Sequence, residues 1–293
     1  MDVSDLKVFE AVARLGSMNR AAQALHTVQS NVTARVRALE GSLGVTLFQR
    51  HARGVTMTPA GERLLPFVGR MTQLLADART AVVEDGVPKG TLHLGSLETT
   101  TALRLAPVLG DFARTYPAVR LVVTTGTSRR LLDDVLDRRV EGAFVAGPVD
   151  HPDVHQEVVF REELVLVTTP AIRAVHELKG IPDLRTVVFQ MGCSYRQRLE
   201  SVLADAGIVT AKPLEFGSLD AILSCVSAGI GVTLLPRGVV AVAEREGRVA
   251  IHALPSDRAW VDTLFIRRND AYVSSAMRAF VETARADMSR TDR

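Results

Sequence analysis

The residues of this 293-residue chain that could do chemistry fall into two groups. The first is the run Gln29, Ser30, Asn31, Thr33, Arg35 and Arg37, where short hydrogen-bonding side chains and arginines crowd a few helical turns. Such groups read base edges and anchor phosphates: amides pair with adenine, guanidinium groups with guanine or phosphate oxygens. The second group consists mainly of hydroxyls at the ends of apolar runs: Ser96, Thr99, Thr100, Thr101, Thr127 and Ser128, with Ala146 after a third run, then Cys193, Ser194, Tyr195, Arg196, Ser218 and Thr233. Several of these open helices, where unpaired N–H groups, a hydroxyl and the Arg196 guanidinium together suit a carboxylate or another small anion. A thiol so near a helix start is expected to have a lowered pKa, which makes oxidation of Cys193 a rival signal. Catalysis finds no support. The seven histidines are scattered, none is marked as a base for Cys193, and no metal-ligand spacing, phosphate loop or dinucleotide fingerprint occurs. The expectation is a binding protein rather than an enzyme, without metal or cofactor.

Helices must position the first group. Val32, Val36, Leu39 and Leu43 recur at four, three and four, one buried stripe of a helix, and Ser30, Thr33, Ala34 and Arg37 occupy the opposite face. A shorter helix from Met18 to Leu25, capped by Ser17, precedes it across a turn of only His26 and Thr27, which is the spacing of a helix-turn-helix. Upstream, Ser4 can cap a first helix that stops at Gly16 and buries Leu6, Phe9, Val12 and Ala13. Downstream, Val45 to Phe48 and Val55 to Met57 read as a two-stranded ribbon. Arg50 and Arg53 lie at its tip, suited to phosphates or the minor groove.

Thr58 then caps a long helix with Pro59 at its first position and Pro66 as an expected kink. Its apolar positions Leu64, Val68, Met71, Leu75, Ala78 and Val82 form a heptad seam that asks for a partner helix, most cheaply that of a second copy.

Bulk properties set bounds without adding identity. The formal charge is +2 in total, +3 over residues 1–65 and −1 beyond, so nucleic-acid binding rests on the motif and not on charge. Two cysteines make no disulfide framework. No apolar run has the length of a membrane span, and the N-terminus lacks a signal pattern, so a cytoplasmic protein is expected.

Residues 85–90 read as a linker, after which short strands alternate with helices in an α/β pattern with mainly parallel sheets. Strands are expected at Leu92–Gly95, Arg120–Thr124, Gly142–Ala146, Leu164–Thr168, Val187–Gln190, Val232–Leu235 and Thr263–Arg267. In such sheets ligands sit outside the carboxyl ends of the strands, where the second group of residues falls.

The run from Asp5 to Gly61, and most specifically FEAVARLGSMNRAAQALH, RALEGSLGVTLFQR and RGVTMTPAGERLL, resembles the N-terminal domain of the LysR-type transcriptional regulators. The resemblance continues to the end of the chain. It departs at Val28, Ser30 and Ala34, where the family usually has a serine, a proline and a long basic or polar residue. It implies an N-terminal all-α winged helix-turn-helix over residues 1–58 and a linker, or dimerisation, helix and hinge over 59–87. An effector-binding domain follows over 88–293, α/β and two-lobed like the type 2 periplasmic binding proteins. One lobe would hold residues 91–161 and 267–293, the other 162–266. The implied partners are double-stranded DNA, a small-molecule effector and RNA polymerase. Two-fold symmetry in a homodimer or homotetramer predicts an interrupted inverted repeat in the DNA.

Overall fold

The computed structural model describes residues 2–51, 54–208 and 213–291. It divides into one unit of Met1–Glu84 with Asp137–Arg139 and another of Asp85–Leu136 with Val140–Arg293.

The first unit runs α1 (Val3–Leu15), α2 (Met18–Ala24), α3 (Gln29–Leu43), β1 (Phe48–His51), β2 (Gly54–Met57) and α4 (Pro59–Val83). Phe9, Val12, Val32, Val36, Leu39 and Leu47 are almost fully buried together, whereas Leu43 is exposed. Gly16, in the left-handed region at φ 60°, ends α1 by donating its N–H to the Val12 carbonyl, and Ser17 caps α2 by accepting the Arg20 N–H. The N-cap of α1 is Asp2 rather than Ser4.

The ribbon starts three residues later than the sequence suggests. Residues 45 to 48 bond to α3 first: Val45 N–H donates to the Glu40 carbonyl, and the Glu40 carboxylate accepts the N–H groups of Leu47 (2.8 Å) and Phe48 (3.2 Å). The ribbon is antiparallel, from Phe48 opposite Met57 to His51 opposite Gly54. Gly54 has φ 138°, and a Cβ there would lie 2.7 Å from the Gly16 carbonyl oxygen, so this glycine lets the ribbon close against the end of α1.

Helix α4 is capped by Thr58, whose Oγ1 accepts the Gly61 N–H, and continues through Pro66 as one element. Its seam differs from the expected one. Val68 is fully buried, and it packs with partly buried Leu64 in the core of its own unit. The outward stripe is instead Phe67, Met71, Leu74 and Ala78, with Leu75 and Val82 beside it; Phe67 is 58% and Val82 85% exposed.

The second unit begins with β3 (Gly90–Ser96) and α5 (Glu98–Thr100), which passes through one π turn (Thr101–Leu105) into α6 (Ala106–Thr115). Then come β4 (Val119–Thr125), α7 (Ser128–Leu136), β5 (Gly142–Ala146) and the long β6 (Val154–Thr168). After a 3-10 turn at Val175–Gly180 follow β7 (Val187–Phe189), α8 (Ser194–Asp205), β8 (Leu214–Phe216), α9 (Leu219–Ser227), β9 (Thr233–Pro236), α10 (Arg237–Arg245), β10 (Ala250–Ala253), β11 (Trp260–Arg268) and α11 (Ser275–Thr291).

The expectation of mainly parallel sheets is corrected. Strand order is β10-β6-β11-β5-β3-β4 with β9 also on β6; β3 pairs with β4 and β5 in parallel, while every pairing of β6 and β11 is antiparallel. These two strands are the crossings between lobes. The sequence marks a strand only at Leu164–Thr168, yet β6 begins at Val154 and pairs along β11 from Val154 to Glu163. Thr263–Ile266 of β11 also pair with β5. One lobe packs Leu92, Phe112, Phe144, Phe265 and Phe280; the other packs Val165, Val187, Ile222 and Leu235. Leu131, Val145, Leu166 and Leu199 belong to a buried layer that runs through both.

Candidate nucleic-acid interface and ligand cleft

Burial of Val32, Val36 and Leu39 turns the opposite side of α3 to solvent. Gln29, Ser30, Asn31, Ala34 and Arg37 are exposed and Thr33 is half-buried. Asn31 Nδ2 donates to Thr27 Oγ1 at 2.9 Å, which ties the turn to the helix. Arg35 has an intramolecular partner. Its Nη1 lies 3.0 Å from the Asp5 carboxylate and ties α3 to α1. The N-cap of α3 is Val28, 64% exposed and without a side-chain acceptor for the first-turn N–H groups. The Asn31 N–H turns back to the Val28 carbonyl at 3.1 Å, which leaves the N–H groups of Gln29 and Ser30 at the end that a recognition helix turns toward bases and phosphates. Arg53 lies outside the described residues, and of Arg50 only the backbone is described, in β1 opposite Val55.

In the second unit a cavity of about 310 Å³ opens between the lobes, a size suited to a small organic molecule. Of the expected residues, Thr99, Thr127, Cys193 and Tyr195 line it. The others are not on the lining. Ser96 and Thr101 donate to the Leu97 carbonyl (3.1 and 2.9 Å), Ser128 accepts the Ala146 N–H (3.2 Å), and Ser218 caps α9 by accepting the Ala221 N–H (3.5 Å). Thr100 and Thr233 are buried, as is Ala146. The Ser194 hydroxyl is buried without a hydrogen-bond partner, yet it is not on the lining.

Arg196 and Cys193 require correction. The Arg196 guanidinium binds the carboxylates of Glu215 (2.6 Å) and Glu200 (3.1 Å), which raise its pKa further and commit it to structure rather than to a ligand. Burial pushes the Cys193 thiol above its ordinary range, against the lowering expected from a helix N-terminus. The N–H groups of Arg196 and Tyr195 and the Arg196 charge act the other way but do not win.

The cleft is more apolar than its hydroxyl pattern suggested. Leu97, Phe189, Met191 and Phe216 form its walls, and Arg130 supplies a cation. The Arg130 side chain is 74% exposed and stands 3.8 Å from the buried Asp134 carboxylate. Glu98 is on the lining too, but its Oε1 accepts the Leu219 N–H at 2.8 Å, where it bridges from α5 to the start of α9. Thr99 Oγ1 and the buried Tyr195 hydroxyl meet at 3.5 Å across the lobes; burial raises the Tyr195 pKa, so the hydroxyl keeps its proton. The rim closes where Arg129 N–H donates to the Gly192 carbonyl at 3.2 Å. Gly192 has φ 95°, and a Cβ there would lie 2.8 Å from that of Arg129. Position alone marks these walls in the sequence: Leu97 and Phe189 sit at strand ends, as the hydroxyls do.

Consecutive carboxylates hold the first crossing strand. Glu162 is buried and paired to Arg104 (Nε–Oε1 2.7 Å), which reaches it from the π turn of the first lobe. Glu163 pairs with Arg237 at the start of α10 in the second lobe (2.6 Å). Neighbouring residues of a strand point to opposite faces, so one strand is gripped by both lobes at the point where it passes between them.

Comparison with known proteins agrees with this geometry. A family model described as "Bacterial regulatory helix-turn-helix protein, lysR family" matches residues 3–62, and one described as "LysR substrate binding domain" matches residues 85–289. Over 281 residues the chain is 40% identical to the HTH-type transcriptional regulator GltR of Bacillus subtilis (strain 168), with 96% of this chain and 95% of that protein covered. It is 38% identical over 283 residues to the HTH-type transcriptional regulator CzcR of Bacillus anthracis, covering 97% and 96%. Among solved structures, full-length CbnR complexed with its target DNA has a TM-score of 0.66 at 24% identity, covering 98% of this chain and 100% of that one. A full-length OxyR variant of Pseudomonas aeruginosa has a TM-score of 0.71 at 19% identity, covering 98% and 94%; at these identities the likeness is one of fold. No helix among the described residues is long and apolar enough to cross a membrane.

Proposed function

Because the chain belongs to the LysR family of DNA-binding transcriptional regulators, we propose that it binds an interrupted inverted repeat as a symmetric dimer or dimer of dimers and reads it through the outer face of α3. It is a regulator and not an enzyme, and its second domain is of the effector-binding kind. The observation that carries the reading is the polar, unshielded side of α3 opposite Val32, Val36 and Leu39. In this reading Gln29, Ser30 and Thr33 face base edges and Asn31 the turn-side bases. Arg37 with Arg50 and Arg53 of the wing meets phosphates or the minor groove, and Arg35 orients the helix.

Residues 1–58 would then be the DNA-binding domain, 59–87 the dimerising helix and hinge, and 88–293 the effector domain, acting in the cytoplasm beside RNA polymerase. The effector is a small organic molecule with an apolar body and one anionic group. Leu97, Phe189 and Phe216 take the body, while Thr99, Thr127 and Arg130 take the polar end. A ligand that touches both lobes shifts their arrangement only by binding one arrangement more tightly.

Footprinting and binding titrations test the DNA half. Gln29→Ala is expected to cost roughly 1 to 3 kcal/mol on the preferred site and little on random DNA. Equal losses on both would remove Gln29 from base reading. For the cleft, a thermal-shift screen of small organic acids should yield a ligand whose stabilisation is lost in Thr99→Val and weakened in Arg130→Ala.

A further inference from the structure

A second cavity, of about 380 Å³, shares no lining residue with the cleft. It lies against the two crossing strands, with Val158 of β6 and Trp260 and Leu264 of β11 on its apolar side and Arg198 of α8 on its polar side. Val158 is 57% and Trp260 46% exposed, so a flat apolar surface faces solvent beside a cation.

The charges around it do not balance locally. Asp262, on the lining, has Arg161 as its partner at 3.8 Å, and Arg161 also lies over the Trp260 ring, 5.3 Å from its centroid. Glu157, also on the lining, is paired with Arg285. Arg198 has no carboxylate within ion-pairing distance among the described residues. Its Nη2 and Nη1 donate to the carbonyls of Gly147 (3.2 Å) and Trp260 (3.5 Å), which orient the guanidinium without neutralising it. A guanidinium fixed by two carbonyls keeps further N–H donors, and the fork geometry of those donors matches a carboxylate.

We propose that this cavity is a second ligand site, for a small carboxylate with a flat apolar body: the carboxylate on Arg198, the body against Trp260 and Val158. The cavity volume falls within the usual range for small-molecule sites. Arg198 shares helix α8 with Tyr195 of the cleft wall, and through Gly147 it also touches the end of β5, so an occupant would sit where the two lobes are joined.

The chain has one tryptophan, so its fluorescence reports on this cavity alone. Phenylacetate titrated into the full-length protein is expected to change the emission saturably, and phenylacetamide, the same shape without the charge, at least about tenfold more weakly. Arg198→Gln should lose the response, and so should Val158→Glu, a substitution at an exposed position that sets a like charge against the carboxylate. Thr99→Val, in the cleft, should leave it within about twofold. The proposal is overturned by the absence of a saturable response, by equal response to the amide, or by a response that survives both cavity variants or disappears in Thr99→Val. It is also overturned if the ligand-free emission shifts on dilution, since that would mean a second copy of the chain covers Trp260.

Discussion

On the outer side of α3, Gln29, Ser30 and Arg37 are exposed, and their side chains make no hydrogen bond to other described residues. In the interlobe cleft similar groups are largely spent: Ser96, Thr101, Ser128 and Ser218 bond to nearby backbone, and Arg196 is held by two carboxylates. One surface keeps its polar capacity for a partner, and the other uses most of it to shape an apolar chamber with a few remaining contacts. A surface that reads a polyanion gains from many unshielded donors, each acting nearly alone. A ligand cavity gains from apolar walls and a small number of fixed polar groups, and so depends on the packing around it.

That contrast breaks most visibly at the crossing strand. Arg104→Ala would leave Glu162 buried and unpaired, and the expected cost is about 3 to 5 kcal/mol in urea unfolding of the full chain. A loss under about 1 kcal/mol would mean that the carboxylate finds water or another partner, and that the strand is not held from the first lobe. Next in size is the outward stripe of α4. With Met71 and Leu74 both changed to Glu, a paired helix would bury unpaired charge at a cost of at least about 2 kcal/mol, so sedimentation should show dissociation. The same change at Val68 should instead unfold the winged unit, because that residue lies in its own core. An unchanged assembly state in the first variant, with folding intact, would exclude the stripe as the seam.

Val28→Ser sharpens the comparison from the other side. Serine at the N-cap of α3 would accept a first-turn N–H and raise stability by about 0.5 to 2 kcal/mol, readable as a higher Tm. If stability does not rise, the first-turn donors are already satisfied. The smallest effect concerns Cys193. Because burial raises its pKa, the thiolate fraction at any given pH lies below that of a free cysteine. In Cys225→Ser protein the iodoacetamide rate should therefore be low near neutral pH and should rise at higher pH than for a free thiol. A midpoint below that of a free cysteine would restore oxidation of Cys193 as a signal.

The local patterns in the sequence carried a good deal. The four-three spacing of Val32, Val36 and Leu39, Ser17 as a cap, Gly16 as a stop and Thr58 with Pro59 all act within one or two helical turns, and the structure follows them. The span Gly142–Ala146 emerged as a strand because it is an apolar run buried on both sides. Other features depend on residues distant in sequence, and these only the tertiary structure decided. Val68 is absent from the outward stripe of α4 because the core of the winged unit reaches it, which a heptad count along one helix does not register. Arg35 and Arg196 looked available until Asp5, thirty positions away, and Glu215 came within reach. The charged first half of β6 became a strand because β11 pairs along it. Cys193 sits at a helix N-terminus, as its sequence context indicates, yet the packing around it removes water and reverses the expected direction of its pKa. Backbone preferences and side-chain periodicity are written residue by residue, whereas desolvation and charge pairing are properties of neighbours that the chain acquires only on folding.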